Sequence, residues 1–243
     1  MSEQAPRTLF ISDLHLDRER PEIITLFAEF IDTHARDADA LYILGDLFEY
    51  WVGDDQPTDG LEPAIEVLES LKSVTPVFFI QGNRDFLVSD SFAQRAGLKL
   101  LPDSVIIDLY DRTALLLHGD TLCSDDVDYQ RLRELLRDSA WQHQFLSLPV
   151  AERLAQALAL REKSMAETSG KTEAIMDVNQ QRVEAELRKY SANLMIHGHT
   201  HRPARHRFEL DGTPVERIVL GDWYQKGSAL IVTPDSVTLT EFS

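Results

Sequence analysis

Residues 41–49 read LYILGDLFE, and this stretch decides the fold. Its four apolar residues, 41–44, predict a short buried strand, because an apolar run bounded by glycine is typical of a parallel-sheet core. Gly45 permits a sharp turn, and Asp46 follows at once. Open α/β sheets bind their ligands just beyond the carboxyl ends of the strands. Asp46 is therefore a candidate ligand-binding carboxylate.

The same arrangement recurs four more times along the chain. Apolar runs at residues 8–12, 77–80, 114–117 and 194–196 each lead into a polar segment. In chain order these segments are Asp13-Leu14-His15, Gln81-Gly82-Asn83-Arg84-Asp85, His118-Gly119-Asp120 and His197-Gly198-His199-Thr200-His201. Each one alone is more simply a turn, a helix cap or an adventitious metal-binding tract. Together they predict one metal site, and oxygen and imidazole ligands without a thiolate favour Mn, Fe or Zn.

The order of these motifs, D-x-H, G-D, G-N-R-D, H-G-D and G-H-T-H, resembles the calcineurin-like metallophosphoesterase superfamily. The resemblance covers residues 8–122 and 193–233. It implies an α/β fold, a β-sandwich flanked by helices in four αββα layers, with a helical insertion over the site. It also implies two metal ions bridged by Asp46. One ion would be completed by Asp13, His15 and His199, and the other by Asn83, His118 and His197.

The resemblance further implies roles for residues beside these ligands. The guanidinium of Arg84 can hold a phosphate oxygen. The predicted catalytic residues are Asp46, Asn83 and Arg84. Two cations close together clamp a phosphoryl group and activate a water. Asp85 and Asp120 are expected to orient ligating imidazoles or to support the loops.

Composition and charge restrict the class of protein. The 243 residues suffice for one domain, 1–243, with an insertion, and the single Cys123 excludes an intrachain disulfide and fits a reducing cytoplasm. The formal charge of −17 argues against nucleic-acid binding, which needs Lys and Arg to replace counterions. No secretory signal is expected in the opening MSEQAPR, and no apolar run is long enough to span a membrane.

The predicted insertion, residues 124–190, departs from a minimal scaffold. Its first part, residues 125–171, carries seven Lys/Arg and eight Asp/Glu in an otherwise strongly acidic chain. Residues 128–138 and 150–167 have helical patterns with apolar faces. One interpretation is a helical hairpin with its own core and solvated charges, which composition alone favours. The other is a cap over the metals that binds an amphiphilic, phosphorylated substrate.

Residues 43–49, 118–126, 129–130 and 174–179 are also similar to the bacterial UDP-2,3-diacylglucosamine diphosphatase family of lipid A biosynthesis. That similarity spans nearly the full chain. It implies hydrolysis of the substrate's pyrophosphate bond to 2,3-diacylglucosamine 1-phosphate and UMP, by a water activated at two Mn²⁺ ions. The implied substrate contacts are Asn83, Arg84, Asp126, Ser164, Thr168, Lys171 and His197, although some relatives have Asn in place of Thr168.

The same similarity implies a peripheral protein at the cytoplasmic face of the bacterial inner membrane, with a lipid substrate and no obligate protein partner. Two alternatives remain at this stage. Another metallophosphoesterase, a phosphodiesterase or phosphatase for a small soluble substrate, would share every metal ligand, so only substrate preference separates it. A non-catalytic interaction scaffold could lose ligands, whereas this sequence retains all seven.

Other parts of the chain have simpler predictions. Residues 21–35, 64–72 and 89–96 are predicted helices, the first beginning with proline. Residues 217–220, 229–233 and 237–240 are predicted strands of a second, antiparallel sheet packed on the first. Asp54 and Asp55 lack a preceding strand, so a solvated loop is expected there. His201 is expected at the mouth of the site.

Overall fold

Two β-sheets lie face to face in this computed structural model, which describes residues 5–168 and 177–243, the side chains of 162–168 excepted. The first sheet has the strand order β11-β10-β1-β2-β3-β4. Its strands are β1 (Thr8–Ile11), β2 (Ala40–Leu44), β3 (Val77–Ile80), β4 (Leu98–Leu101), β10 (Gly227–Val232) and β11 (Val237–Phe242). Strands β1 to β4 are parallel, so the segments that follow β1, β2 and β3 meet at one edge.

The second sheet has the order β5-β6-β7-β9-β8. Its strands are β5 (Ser104–Leu109), β6 (Arg112–Leu117), β7 (Leu194–His197), β8 (Ala204–Leu210) and β9 (Thr213–Val219). Strands β6, β7 and β9 are parallel. A two-residue turn joins β5 to β6, and its residues Tyr110 and Asp111 have φ of 51° and 66°. Positive φ at both positions matches the right-handed twist of a hairpin.

The three predicted C-terminal strands exist, but their placement in one antiparallel sheet was wrong. Only β9 belongs to the second sheet, where it runs parallel to β7. Strands β10 and β11 extend the first sheet, and β10 pairs antiparallel with β1, with Thr8 opposite Val232. The local pattern identifies a strand, whereas its partner depends on contacts between distant parts of the chain.

Helices cover both outer faces. α1 (Pro21–Phe30), α2 (Glu62–Ser70) and α3 (Asp90–Ala96) lie on the first sheet, and α1 continues as a π-helical turn over Ile31–Ala35. On the opposite side, α7 (Gln180–Tyr190) packs Val183 and Leu187 against Leu115 and Leu117 of β6. Their neighbours Ala114 and Leu116 point between the sheets instead. This alternation along β6 produces the predicted αββα layers.

Three further helices, here called the cap, follow β6. They are α4 (Val127–Arg137), α5 (Ser139–Leu146) and α6 (Val150–Thr168). The sequence pattern had indicated α4 and α6 but neither α5 nor α7. The cap is anchored by Arg153, which is 1% exposed, pairs with Asp55 and donates to the Val52 carbonyl at 2.6 Å. Asp54 instead supports the start of α3, where it accepts the Phe92 N–H at 2.8 Å.

Within the described ranges, none of the helices is long and apolar enough to cross a bilayer.

Candidate metal centre

The segments that follow β1 and β2 adopt an uncommon backbone. Asp13, His15 and Asp46 have φ of 56°, 50° and 53°. The left-handed region is rare for residues other than glycine, and such strain concentrates at functional sites. Backbone hydrogen bonds hold the two segments side by side, from Asp13 N–H to Gly45 O (3.1 Å) and from His15 N–H to Asp46 O (3.0 Å). Their side chains therefore project into one buried space.

Asp46 lies at the centre of this space. Its Oδ2 is 4.0 Å from His15 Nε2 and its Oδ1 is 3.8 Å from His118 Nε2. The backbone N–H of Arg84 donates to Oδ1 at 2.8 Å and fixes the carboxylate. A carboxylate with one imidazole beyond each oxygen has the arrangement expected of a bridging ligand.

Two glycines make this close approach possible. A Cβ on Gly82 would lie 2.1 Å from Asp46 Oδ1, and a Cβ on Gly45 would lie 2.4 Å from His118 Nδ1. Both distances are far below van der Waals contact, so any side chain there would displace the carboxylate or the imidazole. The glycines that punctuate the sequence motifs thus serve the site directly.

One group of potential ligands combines Asp13, His15 and His201, whose ligand atoms all lie within 4.8 Å of one another. His201 Nε2 is 3.3 Å from Asp13 Oδ1 and 3.3 Å from His15 Nε2. His201 was expected only at the mouth of the site, but it is a member of this group. A second group of the same kind combines Asp13, Asp46 and His118.

The other three predicted ligands are Asn83, His197 and His199. Asn83 Oδ1 lies 2.9 Å from both His118 Nε2 and His199 Nδ1. The ring of His199 is thus beside Asn83, although its backbone N–H donates to Asp13 Oδ2 at 2.9 Å. His197 Nε2 lies 3.1 Å from Arg217 Nη1, and its Nδ1 faces the Gly198 carbonyl at 2.9 Å. The metal-binding roles of His197 and His199 stay predictions.

The residues that are present fit a pair of divalent cations. Asp13 and Asp46 are buried together with the His15 and His118 imidazoles. Asp13 Oδ1 and His15 Nδ1 are buried without an aligned hydrogen bond, even though other polar atoms approach them. Burying charged and polar groups in this way is costly unless they are compensated. Hard oxygen and imidazole donors suit Mn²⁺ or Zn²⁺.

The electrostatics of the site are dominated by its carboxylates. Burial alone would lower the pKa of His118, but the charges of Asp46 and Asp13 raise it to about 9. Burial and the charge of Asp46 raise the pKa of Asp85 to about 7. Burial and the charge of Arg217 lower the pKa of His197 to about 3. The side of the site around Asp46 therefore attracts cations.

Asp85 and Asp120 support the loops of the site. Asp85 accepts the N–H groups of Leu47 and Gly82, at 2.7 and 2.8 Å, and so joins the loop after β2 to the loop after β3. Asp120 accepts from the Tyr129 hydroxyl (3.0 Å) and from Arg133 Nε (2.6 Å). It thereby ties the first cap helix to the end of β6.

A cleft runs from the metal centre beneath the cap. Asn83, Arg84 and Asp120 are among its polar lining residues. Its apolar wall is formed by Phe86, Leu132, Leu136, Trp141, Phe145 and Leu158. The sequence motifs did not assign a role to these apolar residues, nor to Glu49, Arg133 and Arg161, which also line the cleft. Phe86 had no sequence signal, and Glu49 appeared only as the end of the LYILGDLFE stretch. The signal of the others was the mixed basic and apolar composition of residues 125–171.

The structure describes the side chains of four predicted substrate contacts: Asn83, Arg84, Asp126 and His197. Asn83 and Arg84 line the cleft. Asp126 caps α4, where it accepts the Tyr129 N–H at 3.2 Å. The side chains of Ser164 and Thr168, and the whole of Lys171, lie outside the described residues.

Comparisons with known proteins agree with this arrangement. A family model described as calcineurin-like phosphoesterase matches residues 6–203. A UDP-2,3-diacylglucosamine hydrolase of Xanthomonas oryzae pv. oryzae is 48% identical over 97% of this chain and 99% of its own. The protein of that name from Stenotrophomonas maltophilia is 52% identical over 93% of this chain and 94% of its own. The one from Salmonella arizonae is 49% identical over 97% and 98%.

Removing a central ligand should abolish metal-dependent activity in a folded protein. We expect Asn83→Ala and His118→Ala each to lower hydrolysis of bis-p-nitrophenyl phosphate by about 100-fold or more, because a two-metal site supplies several kcal/mol of transition-state stabilisation. Metal content and circular dichroism are measured beside the rate. His143→Ala, on an exposed position of α5, is the control. Near-normal rates in either ligand variant would refute the binuclear assignment.

Proposed function

The chain belongs to the calcineurin-like phosphoesterase family, and from that premise we propose that it hydrolyses the pyrophosphate bond of UDP-2,3-diacylglucosamine. The products would be 2,3-diacylglucosamine 1-phosphate and UMP. The relatives that carry this substrate in their name are 48–52% identical over nearly the full chain. Their similarity extends through the cap as well as through the metal-binding motifs.

One observation supports this substrate above a small soluble one: the cleft is lined by both charged and apolar side chains. Arg84 and Asn83 line this cleft together with the aromatic side chains of Trp141 and Phe145. A substrate with a pyrophosphate and acyl chains can contact both kinds of side chain at once. A small phosphodiester would leave the apolar wall exposed to water, at a cost of roughly 25 cal/mol per Å².

The proposed ligands for two ions, which we take to be Mn²⁺, are Asp13, His15, Asp46, Asn83, His118, His197 and His199. When bound, such ions activate a water and neutralise phosphate charge. The remaining functions belong to the chain itself. The Arg84 N–H holds the Asp46 carboxylate in a fixed orientation. The Arg84 guanidinium lines the cleft. Its proposed role is to bind a phosphate oxygen and to stabilise the growing charge.

The direct test is hydrolysis by metal-stripped protein, with and without added Mn²⁺. We expect Mn²⁺-dependent release of UMP from UDP-2,3-diacylglucosamine, and much slower turnover of bis-p-nitrophenyl phosphate. Parallel additions of Mg²⁺ and Zn²⁺ test the choice of metal. The reverse substrate preference would leave the metal centre in place but would reject the lipid substrate.

Two neighbouring leucines of α4 should respond differently to substitution, because only one of them lines the cleft. Leu136 lines the cleft, whereas the adjacent Leu135 is 51% exposed. In a detergent-dispersed assay we expect Leu136→Gln to raise KM for the lipid about tenfold, because burial of a leucine side chain contributes about 1.5–3 kcal/mol. Leu135→Gln should leave KM unchanged, and neither variant should slow hydrolysis of bis-p-nitrophenyl phosphate. An equal effect of both variants on KM would contradict this position for the acyl chains.

We also propose that the protein attaches peripherally to the cytoplasmic face of the inner membrane through its cap. Exposed large apolar side chains are concentrated there among the described residues, at Val127, Leu135, Leu146, Leu158 and Leu160. The first part of the insertion is nearly neutral by sequence, whereas the whole chain carries −17. An anionic bilayer would therefore repel the cap less than it repels the chain as a whole.

This attachment predicts a loss of vesicle binding when exposed cap leucines become polar. We expect the double variant Leu135→Gln, Leu146→Gln to reduce cosedimentation with phosphatidylethanolamine–phosphatidylglycerol vesicles about tenfold, since each side chain would bury part of its apolar area in the interface. Val74→Gln, at a 53% exposed position outside the cap, is the control. Undiminished binding by the double variant would exclude the cap as the docking face.

A further inference from the structure

Glu49 is a buried carboxylate that none of the predicted roles includes. It ends the LYILGDLFE stretch and is 4% exposed. Its backbone N–H donates to the Leu16 carbonyl at 3.1 Å, and His15 donates in the same way to the Asp46 carbonyl at 3.0 Å. The loops that follow β1 and β2 are thus joined along their length. The backbone of Glu49 is therefore held beside the metal centre.

Three functional side chains converge on this carboxylate. Glu49 Oε2 lies 3.2 Å from His15 Nδ1. Glu49 Oε1 lies 2.9 Å from Arg161 Nη2 and 3.8 Å from Arg84 Nη1. Glu49 therefore contacts a metal-ligand candidate, the arginine that follows Asn83, and a residue of cap helix α6.

The chemistry of these contacts assigns Glu49 two effects. A carboxylate beside one ring nitrogen of a histidine favours a proton on that nitrogen, and here it leaves His15 Nε2, directed toward Asp46 and His201, free to bind a cation. Two guanidinium groups side by side would repel each other. A carboxylate between them removes that repulsion and holds both at the wall of the cleft.

We propose that Glu49 is a positioning residue that orients His15 for metal binding and links helix α6 to the metal centre through Arg161. The part of this inference that concerns Arg84 and Arg161 as phosphate-facing groups rests on the proposed function. The part that concerns His15 and the anchoring of α6 does not depend on the substrate.

The main test compares two buried glutamates with similar surroundings. Glu186 on α7 is 5% exposed and pairs with Arg182 and Lys189, but it lies outside the site. We expect Glu49→Gln to weaken Mn²⁺ binding to the metal-stripped protein by about tenfold or more, as is typical for partners of metal ligands. Glu186→Gln should leave Mn²⁺ affinity within about twofold of wild type, by the same calorimetric titration.

A second measurement tests the link to the cap. We expect Glu49→Gln and Arg161→Met to raise hydrogen exchange in α6 to a similar extent, and the double variant to raise it no further, because both single changes remove the same contact. The pair Asp55–Arg153, which anchors the start of α6, is untouched in all three proteins.

Each result has a defined meaning. Unchanged Mn²⁺ affinity in Glu49→Gln, or an equal loss in Glu186→Gln, would overturn the positioning role toward His15. Additive exchange effects of Glu49→Gln and Arg161→Met would overturn the link to α6. Neither readout uses the lipid, so a wild-type protein that fails to hydrolyse UDP-2,3-diacylglucosamine would reject the proposed function without touching this inference.

Discussion

Two buried carboxylates, Asp13 and Asp46, lie side by side at the ends of adjacent parallel strands, and the surrounding structure compensates their charge. Unpaired, they would raise the free energy of the folded state by several kcal/mol. The Ser12 hydroxyl and the His199 N–H donate to Asp13, and the Arg84 N–H donates to Asp46. Imidazoles surround both, and glycines allow their close approach. The residual negative potential is what makes this place a cation site.

The sequence predicted the strand ends because their signal is local. An apolar run, a glycine and an Asp, Asn or His occur within a few residues, and the structure places all five such segments at the metal centre. Pairing partners are not local, so β10 and β11 were assigned to the wrong sheet. The orientation of a histidine ring also depends on residues distant in the sequence. The ring of His197 lies beside Arg217, and that of His199 lies beside Asn83.

Charge counting could not distinguish a solvated hairpin from a cap. The structure separates the arginines one by one: Arg131 on α4 is 76% exposed, whereas Arg153 is 1% exposed. Arg137, on the same helix as Arg131, donates to the carbonyl of Gly82 at 3.0 Å. Whether a basic residue is solvated or structural depends on the acceptor that the fold brings to it, and composition contains no information about that acceptor.

Three arginines of the cap, Arg137, Arg153 and Arg161, keep the cleft open. Apolar walls facing one another tend to close, since contact between them removes area from water. In this protein polar contacts hold the cap helices away from the sandwich. Arg137 contacts the loop after β3, Arg153 contacts Asp55 and Arg161 contacts Glu49. The contacts of Arg137 and Arg153 are hydrogen bonds and that of Arg161 is an ion pair, and together they resist collapse of α4 and α6 onto the sandwich. The apolar wall is thereby kept accessible, and the cap is held at a fixed position relative to the loops that follow β2 and β3.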